Sequence, residues 1–116
     1  TVYGDGTQKR SFTFVDDAVT YIIGLMEGAH TAGEVFNIGG GNNISIVSLA
    51  EKIKDMTGST SEILFVPYEE TYEKGFEDME NRIPDTDKLK SVCPSADPLT
   101  LQEILEKTIE YHRGNI

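Results

Sequence analysis

The chain has 116 residues and a formal charge of −10, with 38% hydrophobic and 26% charged residues. This composition allows one domain at most, with one modest core, and excludes both a disordered chain and a membrane span, since its longest apolar run is only a few residues. The acidic balance excludes a nucleic-acid surface, which needs clustered Lys and Arg, but leaves room for a nucleotide-sized anion held by well-placed cations.

Thr1 is neither an initiator Met nor the start of a basic stretch leading into an apolar one. No secretory leader is therefore expected, and the chain looks cut at its N-terminus. Val2 and Tyr3 are strand formers, and Gly4-Asp5-Gly6 can take the positive φ of a tight turn. Phe12 and Phe14 fall on one face of a second extended piece, with Thr13 on the other. Gln8 and Arg10 point the same way if that piece is extended. Arg10 is planar, forked and always charged, a shape that suits a phosphate. Asp16 or Asp17 is placed to cap a helix over residues 17–27. Val15, Val19, Ile22, Ile23 and Met26 recur near a 3.6 period there, and Gly28 ends the helix. Ala18 and Leu25 widen its apolar face, which predicts packing on more than one side. Residues 35–38 then read as a compact apolar strand.

Gly39-Gly40-Gly41-Asn42-Asn43 reads as a turn rather than a phosphate cradle. No Lys-Ser or Lys-Thr follows it, and no spaced glycines open a helix. A second helix begins near Ser45 or Ser48, where Ser48-x-x-Glu51 has capping-box spacing. Ile46, Leu49, Ala50, Ile53 and Met56 form its expected core stripe, and Gly58 closes it. Residues 63–66 read as a strand stopped by Pro67. Residues 68–81 crowd Glu69, Glu70, Glu73, Glu77, Asp78 and Glu80 around the single base Lys74. They match no calcium loop and read as a solvated, mobile segment. Asp85 is placed to cap a short helix through Lys88 and Leu89, bounded by Pro84 and Pro94. Thr100 and Glu103 have capping-box spacing at the last helix, whose core face is Leu101, Ile104, Leu105, Thr108 and Ile109. His112 reads as a helix-end residue rather than a catalytic group. The single cysteine, Cys93, excludes an internal disulfide and fits a reducing, cytoplasmic setting. Cys93 itself reads as an ordinary small side chain near a helix end. Alternating strands and helices indicate an α/β class, and about four short strands indicate part of a sheet.

Tyr3-Gly-Asp-Gly-x-Gln8-x-Arg10-x-Phe12-x-Phe14-Val-x-Asp17 resembles the substrate-side signature of the extended short-chain dehydrogenase/reductase family. That family includes the NAD-dependent sugar-nucleotide epimerases, dehydratases and decarboxylases. Glu34-Val-Phe-Asn-Ile-Gly-Gly40 and Arg82-Ile-Pro-Asp85 resemble later family blocks in the same order. The resemblance implies a fragment that joins the last elements of a Rossmann-type sheet to a small C-terminal substrate domain. Residues 1–38 would belong to the first part and residues 39–116 to the second, with 35–38 closing the edge of the dinucleotide-binding sheet. It also implies a UDP- or dTDP-sugar ligand, and NAD(P) in the intact enzyme. Tyr3 would lie against the base, Arg10 would contact the pyrophosphate and Gln8 would help position it. Asn43 would lie beside the nucleotide. Simpler readings stand beside these: a turn aromatic, a surface cation and a surface amide. Arg82 either replaces a family arginine missing from Lys74-Gly-Phe-Glu-Asp78 or pairs with the acidic loop. Tyr72 and Phe76 either face the ligand or pin that loop.

The family's hydride chemistry uses a Tyr-x-x-x-Lys pair and a glycine-rich NAD loop. The residues four after Tyr3, Tyr21, Tyr68, Tyr72 and Tyr111 are Thr7, Leu25, Tyr72, Phe76 and Asn115, and no Gly-x-x-Gly-x-x-Gly occurs. No catalytic residue, cofactor ligand or metal ligand is therefore assigned here, and this chain alone is not expected to bind NAD(P). The expectation is a nucleotide-sugar-binding portion of an epimerase/dehydratase. The alternatives are a stand-alone binding or assembly module that pairs with a separate N-terminal chain, and an inert folded fragment. The first helix and residues 35–38 should expose apolar surface, which predicts self-association or swapped packing between copies.

Overall fold

In the computed structural model, which describes residues 1–71, 78–93 and 98–114, short strands alternate with helices in an α/β fold. In chain order the elements are β1 (Val2–Tyr3), β2 (Lys9–Phe12), α1 (Val15–Glu27), β3 (Asn42–Ser45) and α2 (Ile46–Thr57). They continue with β4 (Phe65–Val66), α3 (Tyr68–Thr71), β5 (Asn81–Arg82), α4 (Asp87–Val92) and α5 (Leu101–Gly114). β1 pairs parallel with β4, Val2 opposite Phe65 and Tyr3 opposite Val66. A second sheet has the order β3-β2-β5, with β2 antiparallel to β3 and parallel to β5.

The glycine turn after β1 forms as its residues require. Gly4 and Gly6 take φ of +67° and +74°, a region where a Cβ is disfavoured. The Asp5 carboxylate accepts from the Thr7 amide at 2.9 Å and the Thr7 hydroxyl at 2.7 Å. These bonds, the amide first, hold its pKa below the ordinary carboxylate value. Gly6 also carries a steric duty. Its carbonyl accepts from the Val47 amide at 3.0 Å, and a Cβ there would lie 2.8 Å from Val2 Cγ1 and 2.9 Å from Val47 Cβ.

Several boundaries differ from the sequence expectation. α1 begins at Val15, with Phe14 at the cap position and no side-chain cap, so Asp16 and Asp17 lie inside its first turn. Carboxylates there still favour the positive helix end. Asp17 Oδ2 accepts from the Leu99 amide at 3.0 Å, tying α1 to the approach of α5. Asn42 and Asn43 belong to β3 rather than to a loop. Asparagine is a poor strand former, so the ladder to β2 overrides local preference here. Ser45, not Ser48, caps α2, accepting from the Ser48 amide at 3.2 Å. The expected Ser48–Glu51 box therefore lies one turn inside the helix. The α2 stripe is half-buried at best, and Ile53 is exposed.

Residues 35–38 are not a strand, because no strand lies beside them among the described residues to complete a ladder. Val35 is 81% exposed, and its carbonyl accepts from Lys88 Nζ at 2.9 Å. Lys88 Nζ also donates to Glu34 at 2.8 Å and lies 4.6 Å from the Phe36 ring centre. That hydrogen bond, ahead of the charge itself, lowers the Glu34 pKa.

Thr86, not Asp85, stands at the cap position of α4 and makes no side-chain cap bond; the Asp85 carboxylate accepts from the Asp87 amide at 3.0 Å just ahead of the helix. Other signals form as read. Glu103 accepts from the Thr100 hydroxyl at 2.6 Å and its amide at 2.8 Å, which closes the capping box of α5 and lowers the Glu103 pKa, the hydroxyl first. Gly58 caps α2 at φ +64°. Cys93 sits at the C-terminal end of α4, half-buried beside Gly24 of α1. Pro94, the expected far boundary of α4, lies outside the described residues.

The buried apolar side chains are Val2, Tyr21, Leu89, Ile104 and Leu105. The inner face of α1 is Ala18, Tyr21, Gly24 and Leu25, whereas Val15, Val19, Ile22, Ile23 and Met26 face outward, Met26 at 80% exposure. The radius of gyration is 17.1 Å, against about 13 Å for a compact domain of this length. Among the described residues no helix is long and apolar enough to cross a membrane.

Gly58 and Gly6, both at positive φ, separate strain from crowding. Gly58 has nothing near its missing Cβ. Gly58→Ala should therefore lower stability by about 1 kcal/mol in urea denaturation. Gly6→Ala should cost about 2 kcal/mol or more, because the added methyl also meets Val2 and Val47.

Candidate functional site

The register of β2 against β5 puts Arg10 opposite Arg82. Partners in register project to the same face of a sheet. Two arginines distant in sequence thus become neighbours. Both line an open cleft of about 780 Å³, with Phe12, Ile38, Ile46 and Pro84 on its walls.

Arg10 is held from two directions. Nη1 donates to the carbonyls of Lys9 and Met79, both at 2.8 Å. Nη2 donates to both carboxylate oxygens of Asp78 at 2.5 Å. Asp78 also accepts from the Tyr68 hydroxyl at 3.1 Å. Burial, and next the bond to Asp78, push the Tyr68 phenol above its ordinary value. A Cβ on Gly4 would lie 2.5 Å from the Tyr68 ring, so the glycine admits this aromatic.

The other expected site residues lie apart from this pair. Gln8 precedes β2, is 9% exposed, and donates through Nε2 to the Tyr3 carbonyl at 3.0 Å. Its side chain joins the strands instead of sharing the arginine cleft. Tyr3 lies on β1, in the other sheet, and is 41% exposed. Asn43 faces Ser11, which places it on the opposite face of the sheet from Arg10, exposed. Arg82 is exposed, and among the described residues the acidic stretch pairs with Arg10 rather than with Arg82. Tyr72, Phe76 and Lys74, like the rest of 72–77, lie outside the described residues.

The glycine run is an irregular link with a bend at Gly41, leading into β3. The Gly40 amide donates to Thr13 Oγ1 at 2.6 Å, and its carbonyl accepts from the Ser11 hydroxyl. A Cβ on Gly39 would overlap Pro84. Among the described residues, no three His, Cys, Asp or Glu side chains gather as metal ligands would. Sequence reasoning missed Asp78 as the partner of Arg10. The available signal was an acid four residues before Arg82, but which arginine it meets depends on strand pairing.

The family model described as the NAD dependent epimerase/dehydratase family matches residues 1–39. A UDP-N-acetyl-alpha-D-glucosaminuronate decarboxylase of Bacillus cytotoxicus is 42% identical over 112 residues, 97% of this chain and 35% of that protein. These matches support membership in the NAD-dependent epimerase/dehydratase family. The chain spans about a third of the length of that relative.

Solved members of the family carry the same fold. A UDP-glucose 4-epimerase of Thermotoga maritima, solved with UDP-glucose, aligns over 98% of this chain and 35% of its own, with a TM-score of 0.81 and 33% identity. MoeE5, solved with UDP-glucuronic acid and NAD, aligns over 99% of this chain and 36% of its own, with a TM-score of 0.84 and 27% identity.

The environment of Tyr68 has a spectroscopic consequence. An ultraviolet pH titration should show a phenol ionising above the ordinary value of about 10, and Tyr68→Phe should remove that step. Asp78→Asn should bring it down only in part, because burial is the larger cause.

Proposed function

We propose that this chain is the C-terminal, substrate-gripping portion of an NAD-dependent sugar-nucleotide epimerase, dehydratase or decarboxylase, and that it holds the diphosphate of a UDP-sugar. The in-register pair Arg10 and Arg82 over an open cleft carries this reading. Two forked cations on one sheet face suit a diphosphate, which offers anionic oxygens on two centres. The family relatives support the ligand class, since their names and bound molecules are UDP-sugars.

In this reading residues 1–38 end a dinucleotide-binding unit and residues 39–116 form the substrate unit, with β1–β4 and β2–β3 pairing across the division. Tyr3 lies toward the base and Gln8 positions the strand that carries Arg10, whereas Asn43, on the sheet face opposite Arg10, is left out of the proposed grip. The residues present do not fit the dinucleotide itself. The sequence lacks a Gly-x-x-Gly-x-x-Gly and a Tyr-x-x-x-Lys, and the Gly40 backbone is engaged by Thr13 and Ser11. Hydride chemistry is accordingly assigned to residues outside this sequence. The chain's contribution is orientation, since binding energy from groups remote from the reacting centre lowers the barrier by holding that centre in place.

The exposed α1 stripe favours one addition to this reading: the chain pairs with another polypeptide surface, either further enzyme sequence or a separate chain. Val15, Val19, Ile22, Ile23, Met26 and Val35 are all exposed, more apolar surface than a lone soluble domain usually leaves bare.

Calorimetric titration with UDP-glucuronic acid, UDP-glucose and dTDP-glucose tests the grip. Saturable binding is expected, weakened about tenfold by Arg10→Ala. Absence of binding by a chain shown to be folded would reject it. Sedimentation over a range of concentrations tests the exposed face. Association that Met26→Lys reduces is expected, and a monomer at every concentration would count against it.

A further inference from the structure

The fork of Arg10 is already occupied by an anion of the chain's own. Nη2 alone meets both oxygens of Asp78 at 2.5 Å, so the carboxylate takes the guanidinium donor that the backbone carbonyls leave for an anion. We propose that Asp78 is an internal competitor for the anion site at Arg10, which a nucleoside diphosphate must displace in order to bind. This rests on the reading that Arg10 receives the diphosphate.

Three observations make displacement workable. First, Arg10 does not depend on Asp78 for its aim. Nη1 is anchored independently by the carbonyls of Lys9 and Met79, so the guanidinium stays in place when the carboxylate leaves. Second, Asp78 has somewhere to go. Its side chain is 27% exposed, and the Tyr68 hydroxyl at 3.1 Å remains a donor to a carboxylate that has left the arginine. Tyr68 is itself fixed against Gly4, so this donor keeps its position. Third, Arg82 breaks the symmetry of the contest. Asp78 neutralises one guanidinium, while a diphosphate reaches both residues of the in-register pair. A ligand spanning both cations outbids a single carboxylate by Coulomb attraction, whereas a lone carboxylate on a ligand gains nothing over Asp78.

The test is a double-mutant cycle in UDP binding, read by equilibrium dialysis so that weak affinities remain measurable, with circular dichroism confirming that each variant is folded. Asp78→Asn should bind UDP about three- to fivefold more tightly than the native chain. In an Arg10→Ala background, where Arg82 still supplies attraction, the same Asp78→Asn change should alter affinity by less than about twofold. An Asp78→Asn chain that binds UDP equally or more weakly overturns the proposal, since Asp78 would then support the ligand rather than oppose it. A gain that persists undiminished without Arg10 also overturns it, by showing a general charge effect. If the native chain binds UDP and Arg10→Ala weakens it, but Asp78→Asn does not tighten it, this proposal alone fails. If no variant binds UDP, the nucleotide-sugar reading fails with it.

Discussion

The close approach of Gly6 to Val2 and Val47 is the constraint on which the rest of this structure depends. The chain leaves β1, reverses through two glycines of positive φ and enters β2 with the N-terminus of α2 lying directly over the turn. A side chain at Gly6 would run into Val2 Cγ1 and into the Cβ and amide nitrogen of Val47. That contact sets where β2 begins, and β2 in turn forms the middle of the β3-β2-β5 sheet. The residues of β2 therefore reach neighbours on both sides, which the residues of an edge strand would not.

The electrostatics of the site follow from that central position. Arg10 projects from the middle strand beside Arg82 of β5, and two like charges at adjacent positions repel. Asp78, just ahead of β5, offsets that repulsion and brings its neighbour Tyr68 into the same cluster. The result is a charged cluster whose parts come from three separate stretches of chain and whose arginine orientation is secured by backbone carbonyls. Arg10 in such a cluster keeps little side-chain freedom.

A second consequence concerns what the chain leaves uncovered. Among the described residues five apolar side chains are buried, and they come from β1, α1, α4 and α5. α1 has two different faces. The small residues Ala18 and Gly24, with Tyr21 and Leu25, lie against the rest of the chain, whereas the more regular apolar stripe points away from it. A helix apolar on both sides belongs between two layers, and the chain spans only about a third of its relative's length. Residues 35–38 fit the same pattern. They have strand-forming composition, and an isolated extended segment without a neighbour has no ladder to join.

What the sequence by itself determined was local. The glycine turn, the Thr100–Glu103 capping box, the Gly58 cap, the Asp85 turn and the α/β class all follow from interactions within a few residues. The same holds for the family block around Arg10, which is legible as a pattern of neighbouring residues. Tertiary structure alone decided the long-range pairings. It turned Asn42 and Asn43 into a strand, buried Gln8 under Tyr3, faced Asn43 away from Arg10, and gave Asp78 to Arg10 rather than to Arg82. The physical reason is that register and strand order arise from contacts between segments far apart in the chain. Residue spacing encodes the face a side chain takes on its own strand, but not which strand comes to lie beside it.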